Sequence, residues 1–288
     1  LWGEKEMHSY MYSHANESSP VFWIHIGIDR FNDINGTLGL EYGNYVLKSV
    51  ADCINACLSD GQQLYHLVAD EYMIVDQKSH TIDEVMLLHG KICKTIKDFI
   101  ISEKYKVVFT FSTGIMHAAM SLKYYDEYQK KSVFSLKHAK SMGGNGVYYF
   151  KDEDYESFLR KEKIKSVLRN AVAEGFEGFE VYYQPIIDCS SGKMIGAEAL
   201  MRFCMYSDEG KENISPIEFI PLLEETGLIL PAGRFILNEA AAMCSELRQY
   251  IPEFKVNVNI SYIQMMKSDI WEDILSAIEK YKLPTESL

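Results

Sequence analysis

No apolar run in this 288-residue sequence comes near the roughly 20 residues that a membrane span requires, and the run Val21 to Ile28 has His25 inside it. A transmembrane segment is therefore not expected in this portion. The opening, Leu1-Trp2-Gly3-Glu4-Lys5, lacks a basic stretch followed by an apolar core and a small-residue cleavage site, so it does not read as a secretory signal. The six cysteines (Cys53, Cys57, Cys93, Cys189, Cys204, Cys244) show neither CxxC nor CxxH spacing. That removes the common zinc and redox motifs and leaves buried free thiols as the expectation. Positive charge is also short, with 29 Lys and Arg against 41 Asp and Glu and a net charge of −12. Wholesale binding of DNA or RNA, which draws on many phosphate contacts, is disfavoured. A small anionic ligand held at a local site with Mg²⁺ stays compatible. A cytoplasmic location is expected, with sensor or membrane segments upstream in a longer parent left open.

What is present is the composition of a packed protein, 47% hydrophobic and 24% charged, on a length that favours two domains. The run 21–28 reads as a buried strand, 41–58 as a helix, and 63–68 with 72–76 as a hairpin closed by Ala69-Asp70-Glu71. A helix over 82–101, a strand over 107–116, a helix over 124–141 stopped by Gly143-Gly144 and a strand over 147–150 complete the first domain. Residues 152–174, charged and free of Gly and Pro, predict a connecting helix. Beyond it come strands at 180–187, 194–203 and 255–260 with helices at 215–226 and 231–250, the opening of an α/β barrel or layered α/β domain. There is no low-complexity segment and no short repeat.

The hairpin Val68-Ala69-Asp70-Glu71-Tyr72, some forty residues after Ile28-Asp29-Arg30-Phe31-Asn32-Asp33-Ile34-Asn35, resembles a degenerate GGDEF motif. Gly39, Gly43, Thr110 to Ile115 and Ala139-Lys140 support the match. The resemblance implies a nucleotide-cyclase-like domain with a central, mostly antiparallel sheet flanked by helices, over 1–151. Cyclases of this family join two GTP molecules and need carboxylates to hold Mg²⁺. It further implies that the first metal-binding aspartate is here Gly27, whereas Asp70 is kept. Val68 and Ala69 replace the two glycines that let the backbone approach the nucleotide. Of the guanine contacts Asn35 is retained and the aspartate has become Asn44. Of the phosphate anchors Lys140 is retained, but a lysine at Asn32 and an arginine at Gly144 are gone. The inhibitory Arg-x-x-Asp is Ser59 to Gln62, without either charge. Asp70 and Glu71 therefore read as solvated turn charges, and a displaced metal contact through Asp29 or Asp33 stays open.

Tyr183-Gln184-Pro185-Ile186 followed by Glu198-Ala199-Leu200-Met201-Arg202 resembles the opening of the EAL family of cyclic-di-GMP phosphodiesterases. Pro216, Phe219-Ile220-Pro221, Glu224 to Leu228 and Val258-Asn259-Ile260-Ser261 follow in family order. The resemblance implies that 175–288 form the N-terminal half of an EAL-type (β/α)8 barrel, joined through the helix 152–174. Glu198 and Asn259 would be catalytic metal ligands for Mg²⁺ or Mn²⁺, placed at strand C-terminal ends. Arg202, Gln184 and Leu200 would contact substrate, and Glu224 and Glu225 would be structural. Both chain ends read as cut ends, with later family ligands beyond Leu288. No firmly bound metal is expected, and an open half barrel invites pairing with another copy.

The leading expectation is a parent cyclic-di-GMP phosphodiesterase, yielding linear pGpG, with a catalytically inactive and regulatory GGDEF domain. A non-catalytic receptor for cyclic-di-GMP or GTP is the alternative, and an active diguanylate cyclase is least favoured.

Overall fold

The computed structural model describes residues 3–13, 20–119, 124–207 and 210–288; Leu1 and Trp2, read as part of a cut start, lie outside them. The chain divides into two compact units, Leu1–Glu156 and Ser157–Leu288. The first contains α1 (Glu4–Ser13), β1 (Pro20–Ile28), α2 (Phe31–Leu38), α3 (Leu40–Asn55), β2 (Gln62–His66), β3 (Glu71–Asp76), α4 (Ile82–Ser102), β4 (Phe111–Ala119), α5 (Tyr125–Ser141) and β5 (Val147–Tyr149). Its sheet runs β2-β3-β1-β4-β5. Every pairing is antiparallel except β4 with β5.

Central β1 is buried on both faces, which is why it reads as a continuous apolar run. Alternate side chains serve two cores: Phe22, Ile24, Ile26 and Ile28 join Val46, Val50, Ile92 and Ile96 from α3 and α4. Val21 and Trp23 join Met73, Val75, Met116 and Tyr125 on the opposite face. There α5 lies close against β4, because a Cβ added at Gly114 would sit 2.5 Å from the Leu136 backbone nitrogen. Only glycine permits that approach.

One strand boundary is corrected and one helix is added. The strand expected from 107 begins at Phe111, the partner of Ile28 at the end of β1; residues 107–110 have no ladder to join, whatever their β-branched content. The stretch from Phe31, rich in Asn, Asp and Gly, forms the helix α2, because burying Phe31 and Ile34 one turn apart outweighs weak local propensity. Gly39, at φ 85, ends α2 and starts α3.

Helix α6 (Asp152–Ala173) spans the division between the units and is followed by β6 (Phe179–Ile187), β7 (Met194–Ser207), β8 (Gly210–Ile214), α7 (Pro216–Thr226), α8 (Ile229–Leu247), β9 (Lys255–Val258), α9 (Tyr262–Lys267) and α10 (Ile270–Tyr281). β6 pairs antiparallel with β7, and β9 pairs parallel with β7. Ala197, Ala199, Met201, Phe203 and Met205 of β7 face a core with Leu222, Leu223, Ile236 and Ala240 of α7 and α8. The alternate residues Glu198, Leu200 and Arg202 therefore project from the other face. Strand β7 runs past the expected end at 203 because it forms a hairpin with β8. All six cysteines are free, but Cys189 is exposed, in the turn between β6 and β7, against the expectation of burial. Among the described residues, no helix is long and apolar enough to cross a membrane.

Candidate functional site

The two motifs produce two very different clusters. In the first unit the β2–β3 hairpin turns through Val68, Ala69 and Asp70, closed by hydrogen bonds from Leu67 N to Glu71 O and from Glu71 N to Val68 O. Ala69 is held at φ 53, the left-handed region that disfavours a Cβ. Ala69→Gly should therefore raise stability by roughly 0.5–1 kcal/mol, read as a higher urea midpoint at unchanged slope. Tyr72 is a core residue, buried and donating its hydroxyl to Leu47 O; burial pushes its pKa up.

Asp70 and Glu71 are not solvated turn charges. Lys140 Nζ lies 3.4 Å from Asp70 Oδ2, and the Asp70 side chain is only 19% exposed. Glu71 Oε2 lies 3.0 Å from Nε2 of the buried His25, whose Nδ1 is 2.8 Å from the Ser132 hydroxyl. The His25 hydrogen bond holds the Glu71 carboxyl below the usual range, against the opposing effect of its burial. Ser132, His25 and Glu71 mimic a nucleophile–base–acid series, but Ser132 is 2% exposed and no substrate reaches it. These partners invert the expectation because β1 and α5 place a hydrogen-bonding nitrogen beside each acid, which no local sequence reading reveals.

Gly27 faces α5. A Cβ built on it would lie 2.7 Å from Lys140 Nζ and 3.0 Å from Leu136 Cδ2, so an ammonium group fills the place where an aspartate would project. Asp29, one candidate for a displaced metal contact, accepts from Thr110 Oγ1, Ser112 Oγ and Asn145 N at 2.7, 2.7 and 2.8 Å. Those three donors take three of its roughly four lone-pair sites. Asp33 pairs with Arg30 on the surface. Asn35 packs against Gly43, where any Cβ would collide with its Oδ1, and Asn44 next to it is exposed. A divalent ion needs several convergent, unneutralised oxygens. The residues at this position do not fit one.

The second unit does the opposite. In the β6–β7 register Gln184 stands across from Glu198, Tyr182 from Leu200 and Glu180 from Arg202, so all six share a face. On the other edge β9 pairs Val258 with Ala199, which delivers Asn259 just past the strand. Its Nδ2 donates to Glu198 Oε1 at 2.7 Å. Asn259 is at a strand end as expected, but Glu198 is not: it is the fifth residue of β7 and lies near the end of the β9-paired part, because β7 continues into the β8 hairpin. Arg202 donates from Nη1 to Met201 O and lies over the Tyr182 ring. A cleft of about 430 Å³ is lined by Leu200, Arg202, Glu224 and Asn259 among others, within the size range of small-molecule sites.

Glu225 pairs with Lys165, and Glu224 O accepts from Gly227 N in the αL cap of α7, the structural roles expected. Yet the Glu224 side chain also lines the cleft, and Tyr182 packs on Arg202. Sequence reasoning missed both; the alternation of β6 about Gln184 could have exposed Tyr182.

Glu198 and Asn259 are hard oxygen donors that converge, as a Mg²⁺ or Mn²⁺ site requires. A half-turn of the Asn259 amide exchanges Nδ2 for Oδ1 toward Glu198 at no steric cost. These two residues fit part of such a coordination shell. Among the described residues no three His, Cys, Asp or Glu side chains cluster to hold a metal.

Two family models match: the diguanylate cyclase GGDEF domain over residues 4–146 and the EAL domain over residues 166–288. The signaling protein YkoW of Bacillus subtilis is 29% identical over 276 residues, covering 94% of this chain and 33% of its own. The bifunctional diguanylate cyclase/cyclic di-GMP phosphodiesterase MucR of Pseudomonas aeruginosa is 25% identical over 265 residues, covering 91% and 37%. The solved PaMucR phosphodiesterase in complex with c-di-GMP is 30% identical over 42% of this chain and 47% of that one, with a TM-score of 0.36. This chain spans about a third of the length of the curated relatives it matches.

Proposed function

The chain belongs to the tandem GGDEF–EAL family of cyclic-di-GMP signalling proteins, and from that membership we propose that the protein is a cyclic-di-GMP phosphodiesterase whose GGDEF unit makes no product. The observation that carries this reading is the contrast between the two clusters. Lys140 fills the space beside Gly27, whereas Glu198, Asn259 and Arg202 gather oxygen ligands and an anion-binding guanidinium on one face.

A Mg²⁺ or Mn²⁺ ion, when bound, supplies the Lewis acidity that activates water and offsets phosphate charge. The Glu198 carboxylate and the Asn259 amide oxygen would hold it. The Arg202 guanidinium matches two oxygens of a phosphodiester and fixes its position relative to Glu198. Gln184, across the ladder from Glu198, offers both donor and acceptor to the same ligand. The GGDEF unit contributes regulation rather than chemistry.

The full-length protein incubated with cyclic-di-GMP and Mn²⁺ should yield pGpG, and incubated with GTP should yield no cyclic-di-GMP. Chromatography of the products checks both, and cyclic-di-GMP formed from GTP would sink the reading. A second reading, reversible binding without cleavage, is favoured by the single carboxylate in the Glu198–Asn259 pair. Binding by calorimetry with no pGpG would select it.

A further inference from the structure

We infer that Tyr182 is the base-stacking residue of the second unit: the purine of a cyclic dinucleotide lies against its ring while Arg202 holds the adjoining phosphate. This rests on the reading of that face as a cyclic-di-GMP site.

Two adjacent tyrosines in β6 have opposite fates. Tyr183 packs on the core and donates its hydroxyl to Glu239 O of α8. Tyr182 points the other way and is 55% exposed, although a tyrosine offers more apolar area than almost any side chain the core could have used. Its register partner is Leu200, and its face is that of Gln184, Glu198 and Arg202.

The ring is held in place. The Arg202 guanidinium carbon is 5.5 Å from the ring centroid, and Arg202 is itself tied to Met201 O. Two residues before Tyr182 on the same face, Glu180 has its carboxyl held low, mainly by its hydrogen bond with Lys211. Tyr182 and Arg202 together border a second cleft of about 320 Å³, whose other walls include Asn213, Ser215 and Pro216. Arg202 borders both this cleft and the one that reaches Asn259. A charge that binds phosphate therefore stands between two recesses, with a fixed aromatic ring in one. That order suits a phosphate with a flat, π-faced base beside it, since a base stacks on an aromatic ring whatever its hydrogen-bonding edge. A ring already ordered before binding loses little conformational freedom when the base arrives.

The test is calorimetric titration of cyclic-di-GMP into the full-length protein and its Tyr182→Ala, Tyr182→Phe and Arg202→Ala variants. It is joined by the fluorescence of a cyclic dinucleotide carrying 2-aminopurine, measured at saturation. Tyr182→Ala should weaken binding roughly ten- to a hundredfold, and Tyr182→Phe should stay within about twofold. The 2-aminopurine signal, quenched by stacking, should rise in the alanine variant alone. Unchanged affinity in Tyr182→Ala, with binding lost in Arg202→Ala, would overturn this assignment and leave the site reading standing. An equal loss in Tyr182→Phe would overturn it too, since the hydroxyl and not the ring would then matter. Arg202→Ala binding as tightly as the native protein would remove the site reading, and this assignment with it.

Discussion

Glu198→Ala should cut hydrolysis of cyclic-di-GMP by the full-length protein by on the order of 10³-fold, about 4 kcal/mol in the barrier. Glu198 is the one carboxylate of the pair it forms with Asn259, so alanine removes the group that the proposed reading assigns to the metal. The fold should survive. Glu198 projects from the face opposite the buried Ala197, Ala199 and Met201, and its hydrogen bond is to the amide of the exposed Asn259. Single-turnover assays with Mn²⁺, alongside thermal unfolding, separate lost chemistry from lost structure. A variant that keeps native turnover would show that Glu198 holds no essential ion. Glu198→Gln distinguishes charge from shape: it retains an oxygen donor at the same position, so activity between the native and alanine values is expected.

His25→Ala should destabilise the first unit by about 2–4 kcal/mol. Three costs fall together: a cavity beneath a sheet residue that is 1% exposed, an unpartnered Ser132 hydroxyl, and a half-buried Glu71 carboxylate without its donor. The variant should also change how stability depends on pH. Because the His25 hydrogen bond lowers the folded-state pKa of Glu71 from its ordinary 4.5, its contribution is fully present above about that pH. It is lost as pH falls through the depressed folded value. Urea titrations of the native protein should show this acid-side decline, and His25→Ala should flatten it. An equal slope in both would mean that Glu71 draws its stabilisation from elsewhere.

Some of this was written plainly in the chain. The hairpin around Ala69, the helices α4 and α5, and the charged helix α6 are set by periodicity and turn chemistry, which act over a few residues. The order of motifs alone marks Gln184, Glu198, Arg202 and Asn259 as candidates. What stayed hidden was long-range. Helix α2 has turn-like composition and forms because Phe31 and Ile34 find a core, and β4 starts late because β1 ends opposite Phe111 and leaves 107–110 no partner.

The sequence by itself determined the family and the two-unit organisation, since each is a matter of motif order and spacing, and the resemblance supplied the expectation that an acid is missing at Gly27. Only the tertiary structure decided what the remaining acids do. Asp70 and Glu71 look solvated along the chain, yet Lys140, seventy residues away, and His25, forty-six residues away, pair with them. Charge balance depends on distance in space, falling away over roughly 8–10 Å at physiological ionic strength, and folding alone sets those distances. For the same reason only the β6–β7 register could set Tyr182 beside Arg202.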